Sequence, residues 1–260
     1  SEPTAITNCD ELIAIASGDL GGNYIQTQDI DCTGKEFSPI GNGSSPFMGT
    51  YDGGGHVIAN ITFDNASQDS VGVFGQLGVI GLVENLGVID SYFHGADSVG
   101  AIVGDNYGTI LNSFADATVI SEGGAGGLTG ANEAGALIDD CYAKGTVTGQ
   151  QYVGGLAGYN ASGIERTYAA AAVTAPGNYV GGLFGYIDDG SNINDSFAAI
   201  PNALGTDATH GQFAGFIATG ALIYDNWFAN GGSPSTGVGT GDSTGVRNID
   251  ATSLYDSSQG

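Results

Sequence analysis

One short phrase keeps returning along this chain and limits what it can fold into. It is clearest as YVGGLAGYN at residues 152–160 and YVGGLFGY at residues 179–186. Weaker copies start at Val71, Val99, Ala125 and Phe213, so successive starts lie about 26 to 33 residues apart, the spacing range of stacked repeats. About fifteen residues after each start comes Leu86, Phe114, Tyr142, Tyr168, Phe197 or Trp227, and an isoleucine usually stands four places earlier, at Ile110, Ile138, Ile164, Ile193 and Ile223. These six copies describe one continuous body in which each repeat packs on the next.

Within each copy two large apolar residues flank two small ones, as Val153 and Leu156 flank Gly154 and Gly155. Strict alternation along a strand would send the two large residues to opposite faces, so a bend at the glycine pair is needed to bring both inward. Gly181 and Gly182 repeat the device. In the second half of the repeat, unbroken alternation would align Asn112 with Asp140, Arg166, Asp195 and Asp225 beside the isoleucines. Burying that column is too costly, so a corner is predicted there. Short strands separated by corners, paired in parallel from coil to coil, make an all-β parallel β-helix (β-solenoid) of about six coils plus N-terminal layers. Propeller blades need about 40 to 50 residues each, and the glycine density excludes helical repeats.

The N-terminal run NCDELIAIASG at residues 8–18 reads as a short helix. Asn8 is its cap, Glu11 the reciprocal capping-box residue and Gly18 the left-handed exit. Such a helix closes the open edge of the first layer. The predicted organisation is therefore a cap at 1–22, lead-in β layers at 23–70, repeats at 71–230 and a loop-rich closing segment at 231–260, with Leu254 and Tyr255 docking on the last layer. The glycines at 53–55 mark a tight turn, and His56 after it is read as structural. Cys9 and Cys32 could pair across the N-terminal segment or remain free, since sequence does not fix the geometry, while Cys141 stands where other repeats hold Ser113, Thr167, Ser196 or Asn226 and is read as buried.

The lead-in DELIAIASG, NYIQTQDIDC and PFMGTYDGGGHVIANITF, followed by VGVFG and by GGLAG and GGLFG, resembles the GLUG-repeat family. The tail TGVRNIDATSLYD is similar to the segment that often closes such repeats. The resemblance implies β-helical modules of large secreted or surface-attached microbial proteins, adhesins among them, and the non-catalytic parts of some immunoglobulin-cleaving metallopeptidases. The peptidase chemistry itself needs HExxH on a helix, and none of His56, His94 and His210 stands in that pattern.

Twenty-eight acidic residues against four basic ones give a formal charge of −24. Nucleic acid and anionic lipid surfaces are bound through Lys and Arg clusters, which are missing here. No apolar run reaches membrane-span length, and the two ends look like boundaries cut from a longer exported protein. The acidity suits a saline extracellular or cell-surface setting and leaves calcium as a cation to consider, with Asp139, Asp140, Asp188 and Asp189 as candidate ligands. No organic cofactor is implied.

The column Phe114, Tyr142, Tyr168, Phe197 and Trp227 is read as a core ladder beside the inward isoleucines; facing outward it would be a platform for sugar rings. A hydrolase would need paired carboxylates, yet the neighbours Asp139/Asp140, Asp188/Asp189 and Asp29/Asp31 are adjacent or nearly so on turns. No catalytic residue is assigned. The expected function is a non-catalytic spacer or adhesive module, with surface glycans or other cell-surface proteins as partners. The alternatives are a calcium-assisted carbohydrate-binding module and a polysaccharide-degrading enzyme.

Overall fold

The computed structural model describes residues 2–199, 204, 209–229 and 237–249. The chain winds into a parallel β-solenoid of about seven turns with one short α-helix near its start. Every strand-to-strand pairing among the described residues is parallel, in sheets of nine, eleven, seven and four strands.

The nine-stranded sheet carries the isoleucines. Its strands include Leu82–Glu84, Thr109–Leu111, Leu137–Asp139, Gly163–Glu165 and Asn192–Asn194. Val83, Ile110, Ile138, Ile164 and Ile193 lie in register, each fully buried. Stacking like on like keeps the core cross-section constant from coil to coil, and each such side chain contributes up to about 2 kcal/mol through burial.

The predicted corner follows. Asn85, Asn112, Asp140, Arg166, Asp195 and Asp225 all sit in the left-handed region, with φ between 47° and 55°. Asn and Asp adopt that conformation at least cost among residues with a Cβ. The next position turns inward: it is Leu86 after Asn85, and Ser113, Cys141, Thr167, Ser196 and Asn226 at the later corners, all of them buried. The polar side chains among them fasten the corners. Ser113 Oγ donates to the Leu111 carbonyl at 2.6 Å and accepts from the Leu86 amide of the preceding coil at 3.1 Å; Ser196 Oγ donates to the Asn194 carbonyl at 2.9 Å.

One residue later the chain enters the eleven-stranded sheet, and here the column Phe114, Tyr142, Tyr168, Phe197 and Trp227 corrects the expectation of a core ladder. The rings are in register but half-buried on the outer face; the inward places belong to Ala115, Ala143, Ala169, Ala198 and Phe228. The corner residue resets which side chains face inward, so beyond it the small polar residue takes the inward place and the aromatic the outward one. Leu86 does not belong to the column: Gly87 pairs with Phe114, and Leu86 is fully buried.

The VGGL phrase joins two sheets. Val153–Gly154 and Val180–Gly181 lie in the four-stranded ribbon, and Ala157–Asn160 and Phe184–Ile187 lie in the seven-stranded sheet beyond the bend. Val153 and Leu156 are both fully buried, as the bend requires. Glycine is needed for closeness: a Cβ on Gly154 would stand 2.1 Å from the Ala157 carbonyl oxygen, and one on Gly155 would stand 2.2 Å from that of Gly182. The sixth copy starts at His210 rather than Phe213. His210 pairs with Val180 and Gly211 with Gly181, so Phe213 holds the leucine place. The buried His210 ring meets the carbonyls of Leu204 and Gly177 at 2.7 and 2.9 Å.

At the N-terminus the helix Cys9–Ala14 continues as a 3-10 turn over Ile15–Ser17 and buries Cys9, Leu12 and Ile15. Asn8 Oδ1 accepts from the Glu11 amide at 3.0 Å, but Glu11 reaches back to the Thr7 amide, one residue earlier than a capping box requires. Gly18 leaves with φ −100° rather than by a left-handed turn. Cys9 and Cys32 form a disulfide, which ties the helix to the strand Ile30–Asp31. Beyond residue 229, Val238–Gly241 and Val246–Ile249 add strands to the seven- and eleven-stranded sheets. Leu254 and Tyr255 lie outside the described residues.

Candidate functional site

The seven-stranded sheet presents an outward column in register: Gln76, Asp105, Ala131, Tyr159, Tyr186 and Phe216. Alongside it runs the corner that precedes each phrase, with Ser70, Ser98, Tyr152 and Tyr179 at positive φ and Gly124 in the third copy. The two columns meet at an angle and make a groove.

Its floor and one end are aromatic. Tyr159 stacks on Tyr186 and Tyr186 on Phe216, with centroids 5.8 and 4.6 Å apart. Tyr152 stacks on Tyr179 at 5.2 Å, and both meet Tyr186 edge-on at 5.7 and 5.3 Å. Such tilted and offset pairs add to burial. In the third coil both columns lose their ring, because Gly124 and Ala131 stand where the next coil has Tyr152 and Tyr159. A cavity of about 360 Å³ opens there, walled by the tyrosines 152, 159 and 186 and by Asp97, Glu133 and Asp188.

The electrostatics are one-sided. Tyr159 Oη donates to Asp188 at 2.5 Å, and burial together with that carboxylate holds the phenol well above its ordinary range. Burial, reinforced by the charges of Asp105 and Asp188, raises the Glu133 carboxyl. Asp105 is likewise raised by burial, although Ser70 Oγ donates to it. Asp97 is spoken for by the Gly124 and Ser98 amides at 2.6 and 2.9 Å. The groove can therefore stack a flat group and neutralise positive charge.

The sequence-predicted residues are distributed elsewhere, with one exception. Asp188 lines the groove, while its neighbour Asp189 turns away and donates its amide to the Asp188 side chain at 2.8 Å. Asp139 and Asp140 lie at the isoleucine corner, where the Arg166 guanidinium bonds both. Among the described residues no group of three or more His, Cys, Asp or Glu side chains is arranged to hold a metal ion. Phe114, Tyr142, Tyr168, Phe197 and Trp227 form their own outer ladder, with Phe114 and Tyr142 stacked at 4.9 Å and Tyr142 and Tyr168 at 4.7 Å. The groove tyrosines carried a signal in the sequence: the two clearest copies both begin on tyrosine and hold a second one seven residues later, at Tyr159 and Tyr186.

Residues 121–148 match the model of the GLUG motif. The chain is 35% identical over 127 residues to halomucin of Haloquadratum walsbyi, an alignment that covers 45% of this chain and 1% of halomucin. It is 36% identical over 101 residues to a Gly-rich membrane protein of Evansella cellulosilytica, covering 35% of this chain and 12% of that protein. The chain thus spans a small part of the length of these relatives. Among solved structures it superposes on one named as an immunoglobulin A1 protease from Bacteroides ovatus with a TM-score of 0.71 and 24% identity, over 97% of this chain and 85% of the other. That likeness shows the shared β-helix.

Proposed function

We propose that this chain is a non-catalytic β-solenoid segment of a larger surface protein, acting as a spacer whose outer grooves also adhere to partners. The observation that carries this reading is the continuity of the core. The same inward columns run through coil after coil, so neighbouring coils brace one another by backbone hydrogen bonds and side-chain stacking along the rod. A body built this way transmits length and stiffness. The likeness to halomucin and to a Gly-rich membrane protein supports a setting at the cell surface or beyond it. The aromatic and acidic groove supports the adhesive part of the reading, since stacked tyrosines with adjacent carboxylates bind flat polar groups.

The test is a panel of acidic and neutral polysaccharides and immunoglobulin chains incubated with the purified chain, with and without calcium. No cleavage is expected. Turnover of any one of them, abolished by Glu133→Gln or Asp188→Asn, would replace the spacer with an enzyme.

A further inference from the structure

We propose that the gap in the tyrosine ladder beside Tyr159 is a binding site for an arginine guanidinium of a partner protein. The proposal rests on the adhesive part of the reading above and names the chemistry of the adherent group.

The gap has a structural origin. Tyr186 covers one face of Tyr159; the neighbouring place on the other side is Ala131, which has no ring to offer. Tyr152 is likewise stacked by Tyr179 on one side and followed by Gly124 on the other. Two ring faces are thus left open in the same coil, and the space is one strand spacing deep, about 4.8 Å, which admits one planar group.

Charge selects which planar group. Glu133 and Asp188 border the gap, Asp105 lies behind it, and none of them meets a cation among the described residues. A neutral sugar would leave their mutual repulsion in place. A guanidinium would relieve it while stacking on Tyr159, because it is planar, permanently charged and carries donors along its edge.

The molecule contains the same arrangement completed. The outer ladder that begins at Phe114 ends at Trp227, and there Arg247 lies over the indole at 5.3 Å with Asp225 at 3.7 Å. Ring face, carboxylate and guanidinium close that ladder. The ladder ending at Tyr159 has the ring face and the carboxylates without the cation. A second copy of this chain is a poor donor: Lys35 pairs with Asp10, Lys144 lies over Tyr142, Arg166 holds Asp139 and Asp140, and Arg247 caps Trp227.

The experiment is calorimetry of the full chain at low salt and pH 7.5 with an acetylated Gly-Arg-Gly-Arg-Gly amide, its lysine counterpart and glucosamine oligomers. Saturable binding of the arginine peptide is expected, about ten-fold tighter than the lysine peptide. Ala131→Tyr, which completes the ladder, should abolish it at unchanged thermal midpoint, and Glu133→Gln should weaken it about ten-fold if Ala131→Tyr fails to fold. Absence of saturable binding, equal binding of the lysine peptide, or preference for glucosamine oligomers overturns the assignment. Adhesion of chain-coated beads to cell surfaces is read in parallel. If Ala131→Tyr beads adhere as well as the native ones, the gap proposal fails while the adhesive reading stands.

Discussion

Inside the core, Asn132 donates from Nδ2 to Oδ1 of Asn160 at 2.7 Å, and Asn106 donates in the same way to Asn132 at 2.8 Å. All three amides are fully buried, in a column that continues as Ile187 and Ile217 in the later coils. The ladder satisfies itself along the solenoid axis and ends on backbone groups: Asn106 accepts from the Gly108 amide and Asn160 donates to the Ser162 carbonyl, both at 3.0 Å. Buried amides are tolerated only when every partner is in place.

Asn132→Ala therefore orphans a donor on Asn106 and an acceptor on Asn160. Each orphan costs about 1–3 kcal/mol, so a loss of roughly 3 kcal/mol or more is expected in urea unfolding. Asn132→Asp should be worse at neutral pH and partly recover in acid, where the carboxyl becomes a donor. A loss below about 1 kcal/mol for Asn132→Ala would mean that the ladder is not closed as described.

The glycine pair makes a contrasting prediction. A Cβ on Gly181 would stand 1.9 Å from the Phe184 carbonyl oxygen, and one on Gly154 would stand 2.1 Å from that of Ala157, backbone atoms that cannot rotate away. Gly163 meets nothing nearer than Leu137 Cδ1 at 3.4 Å, in a column where other coils hold Thr109, Leu137 and Asn192. Alanine at 154 or 181 should cost about 3 kcal/mol, and alanine or threonine at 163 should be neutral or mildly stabilising. Thermal midpoints of the variants, measured side by side, decide it.

His94 staples three coils. Its Nδ1 lies 2.6 Å from Asp64 and its Nε2 3.3 Å from Glu122, one carboxylate from the coil on each side. The Asp64 hydrogen bond raises the imidazole above its ordinary value of about 6.5, against the opposing effect of burial. A raised histidine stabilises the fold fully below its unfolded value and loses that contribution as pH rises through the folded one. The thermal midpoint should thus fall as pH rises from the imidazole's ordinary value through its raised folded one, and His94→Asn should flatten that part of the curve. In a proton NMR titration, Asp64→Asn should bring the imidazole value down; an unmoved titration would detach His94 from Asp64.

The solenoid itself was legible because its evidence is periodic: Ile110, Ile138 and Ile164 recur at one coil spacing, and a column of Asn, Asp and Arg that no core could accept demanded a corner. Facing was harder to read. A left-handed residue such as Asn112 breaks alternation without leaving a trace in hydrophobicity, so the hydrophobic pattern places Phe114 on the side that Ala115 occupies. The asparagine ladder leaves no such signal, because Asn106, Asn132 and Asn160 taken singly read as turn residues, and only the register of the strands that end on them makes them a column. The groove was hidden differently. The repeated phrase reads as scaffold through its glycines and leucine, yet its first and last tyrosines, Tyr152 and Tyr159, are what line the candidate site. What opens the gap is two small residues, Gly124 and Ala131, and a missing side chain has no motif.

The outward direction of the long aromatic ladder can be checked on the chain's single tryptophan. Trp227 is half-buried, in register with Phe197 on one side and Arg247 on the other. The Arg247 guanidinium covers the indole, with 5.3 Å to its ring, and shields it without excluding solvent from the ring edge. Acrylamide should quench native Trp227 substantially, to an extent between that of a buried indole and that of the unfolded chain. Arg247→Ala should raise the quenching constant, shift the emission to the red and cost about 0.5–1 kcal/mol, the range of a cation–π contact at an exposed site. Asp225→Asn should do less, because Asp225 holds the guanidinium, at 3.7 Å, while the guanidinium itself covers the indole. Were native Trp227 to resist quenching until the chain unfolds, the ring would have to face the core, and the alanine column from Ala115 to Ala198 would have to face solvent in its place.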